Sequence, residues 1–390
     1  MRGLKSFPFW ITALLVLTSA CVPANDTQHP STKTGTVKDQ TRLETTTPQN
    51  QVNRVKWHPG HYVTLAPFGN DGPDYFDKVL AEIAQYPAMR GVQKRYLWSS
   101  LEKQEGQYDF GEIEADLARL SNHRKRLVIL LQTKSFRANA PAAPAYLDAD
   151  KYEGGSFAID IPESTAAAAK AQAGANLKLW NPLVRDRLAA LLQALGNRFN
   201  KEPYLEAIAL TETALGKPAE GLTTMQERRY FDNLLAVNRD MRRAFPNTVT
   251  IQFVNYPRSI LKHFINEMGE AGIGLGGPDV FPDDPGLIKG AYTFYPRMAG
   301  LIPLAPSVQH ENYYTRRHRG PRNTPAVEEL YRFAKDDLQA NYLFWTRRMV
   351  PPEKPYAKVL DLMRSPGFPV DPTGGLNSTC PKAFNACDTN

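Results

Sequence analysis

The sequence predicts an α/β fold with the architecture of a (β/α)8 TIM barrel, a closed ring of parallel strands surrounded by helices. Short apolar runs alternate with stretches whose apolar residues recur at helical spacing, which is typical of a parallel sheet. Eight such runs favour closure into a barrel, and 390 residues accommodate one barrel with insertions. The alternative is an open doubly wound sheet. Such a sheet normally carries a glycine-rich phosphate loop after its first strand, and this sequence has none there.

The eight apolar runs are the predicted barrel strands. The fourth is apolar almost throughout, as expected of a parallel strand that is covered on both faces. The runs are Tyr62–Ala66, Gly91–Trp98, Arg126–Thr133, Leu205–Thr211, Val249–Asn255, Gly272–Val280, Pro303–His310 and Asn341–Trp345. Helices are predicted between most of them. The clearest helix begins after Asn181-Pro182, an N-cap residue followed by a first-turn proline, and its apolar stripe extends from Val184 to Phe199.

The first 21 residues are interpreted as a lipoprotein-type signal peptide. Two basic residues precede an apolar run that is too short to span a bilayer comfortably. The run ends in a segment that resembles a bacterial lipobox, although Thr18 stands where leucine is usual, and Cys21 is then the lipidated residue. A signal-peptidase cut after Ala20 or Ala24 is the alternative. Either processing route predicts an exported protein of the bacterial periplasm or cell envelope, and the first adds a membrane anchor.

The remaining chain divides into three predicted parts. Residues 22–51 are rich in Thr, Gln, Asp and Pro and nearly free of apolar residues, which predicts a disordered tether. Residues 52–350 form the barrel, and residues 351–390 form a C-terminal helix and tail that pack on or beside it. In an oxidising compartment, Cys380 and Cys387 are expected to form a disulfide, because a metal site would need further ligands nearby.

Composition and charge exclude other classes of function. The net charge of +7 is modest for this length, and the basic residues are scattered. This distribution argues against a nucleic-acid partner.

The connection that follows the third strand, from Ser135 to Trp180, is unusually long, and loops of this length are usually functional or disordered. It leaves the C-terminal rim of the predicted barrel and could wall a cleft.

Two glutamates follow predicted barrel strands. Glu212 comes directly after the fourth strand, and Glu311 after the seventh. The C-terminal rim is where catalytic groups stand in (β/α)8 barrels. The alternative interpretation of each glutamate is that its carboxylate merely solvates the end of a strand.

The second predicted strand runs into the segment Trp-Ser-Ser-Leu-Glu-Lys-Gln-Glu-Gly-Gln-Tyr-Asp-Phe, residues 98–110. This segment resembles the Trp-Ser-x-Leu-Glu…Gly-x-Tyr-Asp-Phe pattern that clan A glycoside hydrolases, the retaining (β/α)8 barrels, commonly carry there. Asn181-Pro182, Arg187-Leu188 and the fourth-strand carboxylate continue the resemblance, which spans roughly Val55 to Arg348. No particular family within the clan is indicated.

The resemblance implies roles for the two glutamates. It places a general acid/base after strand four, Glu212, and a nucleophile after strand seven, Glu311. Retaining chemistry needs the two carboxyl groups about 5–5.5 Å apart. The clan usually has asparagine before the acid/base, and here Thr211 stands at that position. Threonine can also donate a hydrogen bond to a sugar hydroxyl, but its reach is shorter.

Further strand-end residues are candidate substrate contacts. Arg95 could keep the nucleophile ionised through a charge-assisted hydrogen bond, or could pair with Glu102 on the surface. Trp345 could stack on a sugar ring or could be a core residue. The other candidates, for which packing or loop hydrogen bonding is the alternative, are Trp98, Gln132, Trp180, Thr211, Asn255, His310 and Tyr313.

No cofactor or metal is predicted, because His58, His61 and His310 lack a ligand spacing such as His-Glu-x-x-His. The sequence therefore favours an exported retaining glycoside hydrolase that cleaves a β-linked oligo- or polysaccharide with two glutamates. The alternative is a non-catalytic, carbohydrate-binding lipoprotein with a degenerate barrel site.

Overall fold

A computed structural model describes residues 54–65, 74–135, 142–160, 174–314, 324–349 and 354–390. It contains a closed barrel of eight strands, each parallel to both neighbours. The strands are β1 Gly60–Thr64, β2 Met89–Leu97, β3 Arg126–Gln132, β4 Leu205–Leu210, β5 Val249–Phe253, β6 Gly274–Gly277, β7 Leu304–Val308 and β8 Tyr342–Thr346. The barrel predicted from the sequence is confirmed. The predicted signal peptide, tether and Cys21 lie outside the described residues.

Helices connect the strands on the outside of the barrel. The longer ones are α1 Tyr75–Ala84, α2 Gly111–Asn122, α3 Pro182–Phe199, α4 Thr224–Ala244, α5 Arg258–Ala271, α6 Val327–Arg332 and α7 Pro355–Arg364. The shorter helical segments are Trp98–Leu101, Ala145–Asp148, Asp150–Tyr152, Pro285–Ile288, Ala291–Phe294, Tyr295–Met298, His310–Tyr313 and the π-helical Phe333–Asp337. No helix in the described ranges is long and apolar enough to cross a membrane.

Helix α3 forms as the sequence predicts. The Asn181 side chain accepts a hydrogen bond from the Leu183 N–H at 2.8 Å, and Pro182 occupies the first helical position. Helix α4 begins with a capping box between Thr223 and Gln226. These caps satisfy backbone donors that the first helical turn leaves unpaired.

The barrel core and the outer core are two separate apolar layers. Alternate residues of each strand point inward, and Tyr62, Val128, Ala207 and Phe344 belong to the inner cluster. The intervening residues pack against the helices. Gly276 leaves room for an inward aromatic ring, because a Cβ atom there would lie 2.3 Å from Cδ1 of Phe253.

The long connection after β3 carries its own small sheet. Strands Ser156–Asp160 and Gly174–Leu177 pair antiparallel, and Lys217–Pro218, which follows β4, pairs with the first of them. This sheet ties the loops after β3 and β4 together beside the C-terminal rim. A second short pair, Glu102–Gln104 with Gln107–Tyr108, follows β2.

The C-terminal segment closes the opposite end of the barrel. Strand Ala386–Asp388 pairs in parallel with Arg54–Lys56. Cys380 and Cys387 form a disulfide, the pairing predicted from the sequence. Trp57 packs edge-on against the rings of Tyr342 and Phe384.

A buried carboxylate, Glu206, holds this closed end together. The Glu206 side chain is fully buried and accepts hydrogen bonds from the His58 backbone N–H at 2.7 Å and from the Tyr342 hydroxyl at 2.7 Å. Nδ1 of His58 lies 2.8 Å from its second oxygen. Burial alone raises the pKa of Glu206. The hydrogen bond and charge of His58, the charge of Arg126 and the Tyr342 hydroxyl outweigh burial and lower the pKa to about 2.

We expect Glu206→Ala to lower the free energy of unfolding by about 3–5 kcal/mol, because it leaves His58 and Tyr342 without their buried partner. Glu328→Ala, at an exposed position on α6, is the matched control and should change it by less than about 0.5 kcal/mol. Urea denaturation measures both changes. A loss below about 1 kcal/mol for Glu206→Ala would contradict the structural role.

The same carboxylate makes stability depend on pH. The native pKa lies below the unfolded value of about 4.3, so the stabilisation is complete above that value and is lost as pH falls toward 2. The difference in unfolding free energy between wild type and Glu206→Gln should therefore shrink as pH falls below about 4.

Candidate active site

The fourth strand ends in a β-bulge at the predicted catalytic glutamate. Val249 lies opposite Ala207 and Gln252 opposite Leu210, a constant offset of 42 residues (249 − 207 and 252 − 210). Regular parallel pairing would then direct the N–H of Glu212 to the carbonyl of residue 253. That carbonyl accepts instead from the N–H of Thr213, at 3.1 Å. One extra residue is therefore inserted within Thr211–Glu212, and such bulges commonly re-aim side chains beside active sites.

Side chains of neighbouring strands fix the bulged segment. The carbonyl of Thr211 accepts a hydrogen bond from Nε2 of Gln252 at 2.7 Å, in place of a ladder partner. Asn255 accepts one from the Ala214 N–H at 3.1 Å. The ammonium of Lys134, just beyond β3, donates to the carbonyls of Glu212 and of Ala214, the latter at 2.8 Å. Hydrogen bonds from the β3 side and from the β5 side thus hold the backbone around Glu212.

The Glu212 residue is partly buried and lines a small cavity of about 10 Å³. Lys134 and Tyr230 are the other ionisable residues of this cavity, among those described. The remaining lining residues are Thr133, Leu177, Leu179, Leu188, Leu210, Thr211 and Leu234. Glu212 therefore stands at the rim, where the barrel meets helices α3 and α4.

Glu311 lies on the one-turn 3-10 helix His310–Tyr313, which follows β7. Its side chain is half-exposed, and its Oε1 lies 2.9 Å from Nε2 of His310. Asn312 anchors the turn by accepting from the N–H groups of Gln309 at 2.6 Å and Val280 at 3.2 Å. The Tyr313 hydroxyl donates to the Thr346 carbonyl at 3.1 Å. The ends of β6, β7 and β8 thus position this carboxylate together.

Three of the predicted substrate contacts are residues that the structure buries away from solvent. Trp345 is fully buried on the outer face of β8, where its indole N–H donates to Nδ1 of His61 at 2.9 Å. Trp98 is fully buried and donates to Glu102 at 2.7 Å. The Tyr313 ring is buried, and its hydroxyl binds backbone, as described above.

The other predicted contacts lie at or near the rim. Arg95 is exposed, and Gln132, whose Nε2 donates to the Lys134 carbonyl at 2.9 Å, is partly exposed, as is His310. Thr211 and Asn255 are largely buried: the Thr211 carbonyl accepts from the Gln252 side chain, and the Asn255 side chain accepts from the Ala214 N–H. Trp180 lies on the long connection, largely buried against Phe157. Arg95, Gln132 and His310 are therefore the predicted contacts with exposed surface at the rim.

The segment at residues 98–110 has a structural role. The buried Glu102 carboxylate accepts from Trp98 at 2.7 Å, from the Gly106 N–H at 2.8 Å and from the Arg187 guanidinium of α3. Arg187 also contacts the hydroxyls of Tyr108 and Tyr146, each at 3.3 Å. These contacts tie the loop after β2 to α3. Glu102 itself is fully buried, so its pairing with Arg187 is not a surface ion pair.

Sequence reasoning missed Lys134 and Gln252, which hold the Glu212 backbone. Lys134 directly follows the apolar third strand, and a lysine there looks like an ordinary polar strand end. Within the described residues, no cluster of three or more His, Cys, Asp or Glu side chains could hold a metal ion.

At the level of sequence, no protein-family model and no curated protein matches the chain. Solved structures do match. The catalytic domain of a β-amylase from Paenibacillus polymyxa has a TM-score of 0.53 at 8% identity, over 79% of this chain and 98% of the β-amylase. Endo-glycoceramidase II from Rhodococcus sp. has a TM-score of 0.52 at 14% identity, over 80% of each chain.

A β-galactosidase from Bacillus circulans sp. alkalophilus has a TM-score of 0.54 at 11% identity, over 81% of this chain. This chain has the barrel fold of glycoside hydrolases. The fold expected from the resemblance to clan A is thereby confirmed. The chain spans only 56% of the β-galactosidase. Because one barrel supports many chemistries, the reaction has to be argued from the residues of the site.

We expect Arg187→Ala to lower the free energy of unfolding by about 3–5 kcal/mol, because the buried Glu102 carboxylate then loses its charged partner. Arg198→Ala removes an exposed pair with Glu114 and is the matched control, with a change below about 1 kcal/mol. Thermal or urea unfolding measures both. Equal, small losses in the two variants would show that the Glu102–Arg187 pair is not what holds this loop.

Proposed function

We propose that the protein is an exported retaining glycoside hydrolase that cleaves a β-linked oligo- or polysaccharide. The observation that carries the proposal is the placement of Glu212 and Glu311 directly after β4 and β7, at one rim of a closed parallel barrel. Catalytic groups of such barrels stand at this rim. The proposed pair also corresponds to the two carboxyl groups that the clan A resemblance implies.

The proposed reaction proceeds in two displacements. The Glu311 carboxylate attacks the anomeric carbon and forms a glycosyl ester, while the bond from that carbon to the leaving oxygen breaks. Glu212 donates its proton to this oxygen. In the second step, Glu212 removes a proton from water, the water oxygen attacks the anomeric carbon, and the ester bond to Glu311 breaks. After the second step, Glu212 is again protonated and Glu311 is again a free carboxylate, so the enzyme is regenerated.

Neighbouring side chains support these roles. His310 lies within hydrogen-bond distance of the Glu311 carboxylate and can orient it. Arg95, exposed at the end of β2, is the proposed cation that stabilises the ionised nucleophile or a sugar hydroxyl. Gln132 is a further proposed donor to substrate. The small sheet of the long connection is the proposed wall of the cleft on the β3–β4 side.

A sugar-binding lipoprotein without catalysis is the second candidate. Thr211 favours it, because this residue stands where clan A enzymes usually have asparagine, and its side chain is 5% exposed. A threonine so buried offers little to a substrate hydroxyl. The two candidates differ in whether a bound glycan is turned over.

We expect Glu311→Ala to abolish turnover of every substrate, because no glycosyl ester can form. Glu212→Ala should lower kcat on natural glycans by about 10²–10⁴-fold and much less on aryl glycosides whose leaving group needs no proton. Glu328→Ala on α6 is the control and should keep the wild-type rate. Initial rates on activated aryl glycosides and a panel of β-linked glycans test these expectations.

Wild-type rates in both glutamate variants would overturn the assignment. Binding of glycans without turnover by the wild-type protein would favour the second candidate.

Export and lipid anchoring at Cys21 are also proposed, from the short apolar run that ends there. We expect Cys21→Ser, expressed in a bacterium, to move the protein from the membrane fraction to the soluble fraction. Thr27→Ser, a similarly conservative change within the predicted tether, is the control and should leave it membrane-bound. An unchanged membrane fraction for Cys21→Ser would rule out this anchor.

A further inference from the structure

The side-chain amide of Gln252 connects the bulged end of β4 to β5. Gln252 lies on β5 and is fully buried. Its Nε2 donates to the Thr211 carbonyl at 2.7 Å and to the carbonyl of its neighbour Phe253 at 2.8 Å. Both N–H groups of the amide are thus used. The same Phe253 carbonyl accepts from the N–H of Thr213, so the amide lies where the regular pairing of the two strands is interrupted.

A second buried amide, that of Asn238, holds Gln252 in this orientation. Asn238 lies on α4 and is fully buried. Its Nδ2 donates to Oε1 of Gln252 at 2.8 Å and to the carbonyl of Leu234, one turn earlier in the helix, at 2.9 Å. Because carbonyls only accept hydrogen bonds, the NH2 group of Gln252 must face Thr211, and its oxygen must face Asn238. Helix α4 is thereby connected to the backbone that precedes Glu212.

The carbonyl that Gln252 binds controls the direction of the next side chain. The carbonyl of Thr211 and the Cα atom of Glu212 belong to one planar peptide unit. Fixing the carbonyl oxygen therefore fixes the plane from which the Glu212 side chain projects. Proton transfer requires the donor and acceptor atoms to lie within about 2.6–3.2 Å of each other. A misplacement of about 1 Å can cost about 10²-fold in rate.

We propose that Gln252, oriented by Asn238, is a positioning residue that aims Glu212 at the leaving oxygen of the substrate. The catalytic part rests on the proposed function, in which Glu212 donates a proton during the first displacement. Gln252 touches no substrate, because its side chain is fully buried. Its loss should therefore impair acid-assisted departure of the leaving group and leave the attack by Glu311 intact.

A comparable buried amide at the closed end of the barrel provides the control. Asn341 is 2% exposed, its Oδ1 accepts from the Leu304 N–H at 2.8 Å, and its Nδ2 donates to the Asn377 carbonyl at 2.7 Å. Asn341 directly precedes β8, and Leu304 begins β7, so these bonds lie at the end of the barrel opposite to Glu212. Replacing either amide removes buried hydrogen bonds, but only replacement of Gln252 frees backbone beside Glu212.

The first test measures kcat/KM, which reports the first displacement, on two aryl β-glycosides of one sugar. The dinitrophenyl glycoside has a leaving group that needs no proton, whereas the phenyl glycoside needs one. The sugar is whichever of glucose, galactose, mannose, xylose and N-acetylglucosamine the wild type hydrolyses fastest. We expect Gln252→Met to lower kcat/KM about 10²-fold on the phenyl glycoside and less than about twofold on the dinitrophenyl glycoside.

The matched control for this test is Asn341→Leu. It should keep the wild-type ratio of the two kcat/KM values, whatever it does to stability. An unchanged ratio in Gln252→Met, with or without a general loss of rate, would indicate a purely structural amide and overturn the inference. An equal change of ratio in Asn341→Leu would overturn it as well.

A milder variant keeps the test decisive if Gln252→Met does not fold. Asn238→Ala leaves Gln252 and its two donors in place but removes the group that orients its oxygen. We expect the ratio of kcat/KM on the two glycosides to change in the same direction by about tenfold. A wild-type ratio in a folded Asn238→Ala protein would contradict the role given to Asn238 and Gln252.

The last measurement needs no turnover. Crystal structures of the wild type, Gln252→Met and Asn341→Leu are superposed on the eight barrel strands, with Asn238→Ala replacing Gln252→Met if the latter does not fold. We expect the Cα atom of Glu212 to move by about 1 Å in the variant at the candidate site and to stay in place in Asn341→Leu. An unmoved Glu212 overturns the inference. If the wild type hydrolyses no β-linked glycan or glycoside, the proposed function fails, and the crystal structures still decide whether Gln252 positions Glu212.

Discussion

Closure of the barrel determines where the other parts of the protein lie. β8 pairs with β1 over five residues, from Tyr342 opposite Gly60 to Thr346 opposite Thr64, so the sheet has no free edge. In a closed ring of parallel strands, every strand enters at one end and leaves at the other. Residues far apart in sequence, such as Glu212 and Glu311, are therefore delivered to one rim, while the tail and the disulfide occupy the opposite end.

The glutamates of the barrel fall into two groups that differ in burial and hydrogen bonding. At the closed end, Glu206 is fully buried and bonded to His58 and Tyr342. After β2, Glu102 is buried in the same way against Trp98 and Arg187. Fully buried glutamates with several internal hydrogen bonds serve stability, because a substrate cannot reach their oxygens. Glu311 is half-exposed and Glu212 partly so, which leaves room for chemistry.

The sequence predicts the strands and α3 because their signals are local. An apolar run predicts a strand, and Asn181-Pro182 predicts where a helix begins. The same local signals place Glu212 and Glu311 at the rim. The seventh strand is shorter than its predicted range because Gln309 and His310 turn into the 3-10 helix that carries Glu311.

Local sequence signals do not predict which face of a strand a residue occupies or which residue lies opposite it. Trp345 ends an apolar run, but its register opposite Val63 places it on the outer face, where it binds His61. The bulge at Thr211–Glu212 depends on hydrogen bonds from β5, and the burial of Lys134 depends on carbonyls about 80 residues away (sequence separations 78 and 80). Such contacts between distant segments have no local signature, so the supports of the candidate site become visible only in the folded chain.

Glu311 as the nucleophile is tested most directly by mass spectrometry of the protein quenched in acid during turnover of an activated 2-fluoro glycoside. We expect a mass increase of one glycosyl unit, located by peptide mapping on Glu311, and its absence in Glu311→Ala. An adduct on another carboxylate, or turnover of the glycoside with inversion at the anomeric carbon and no adduct, would contradict it.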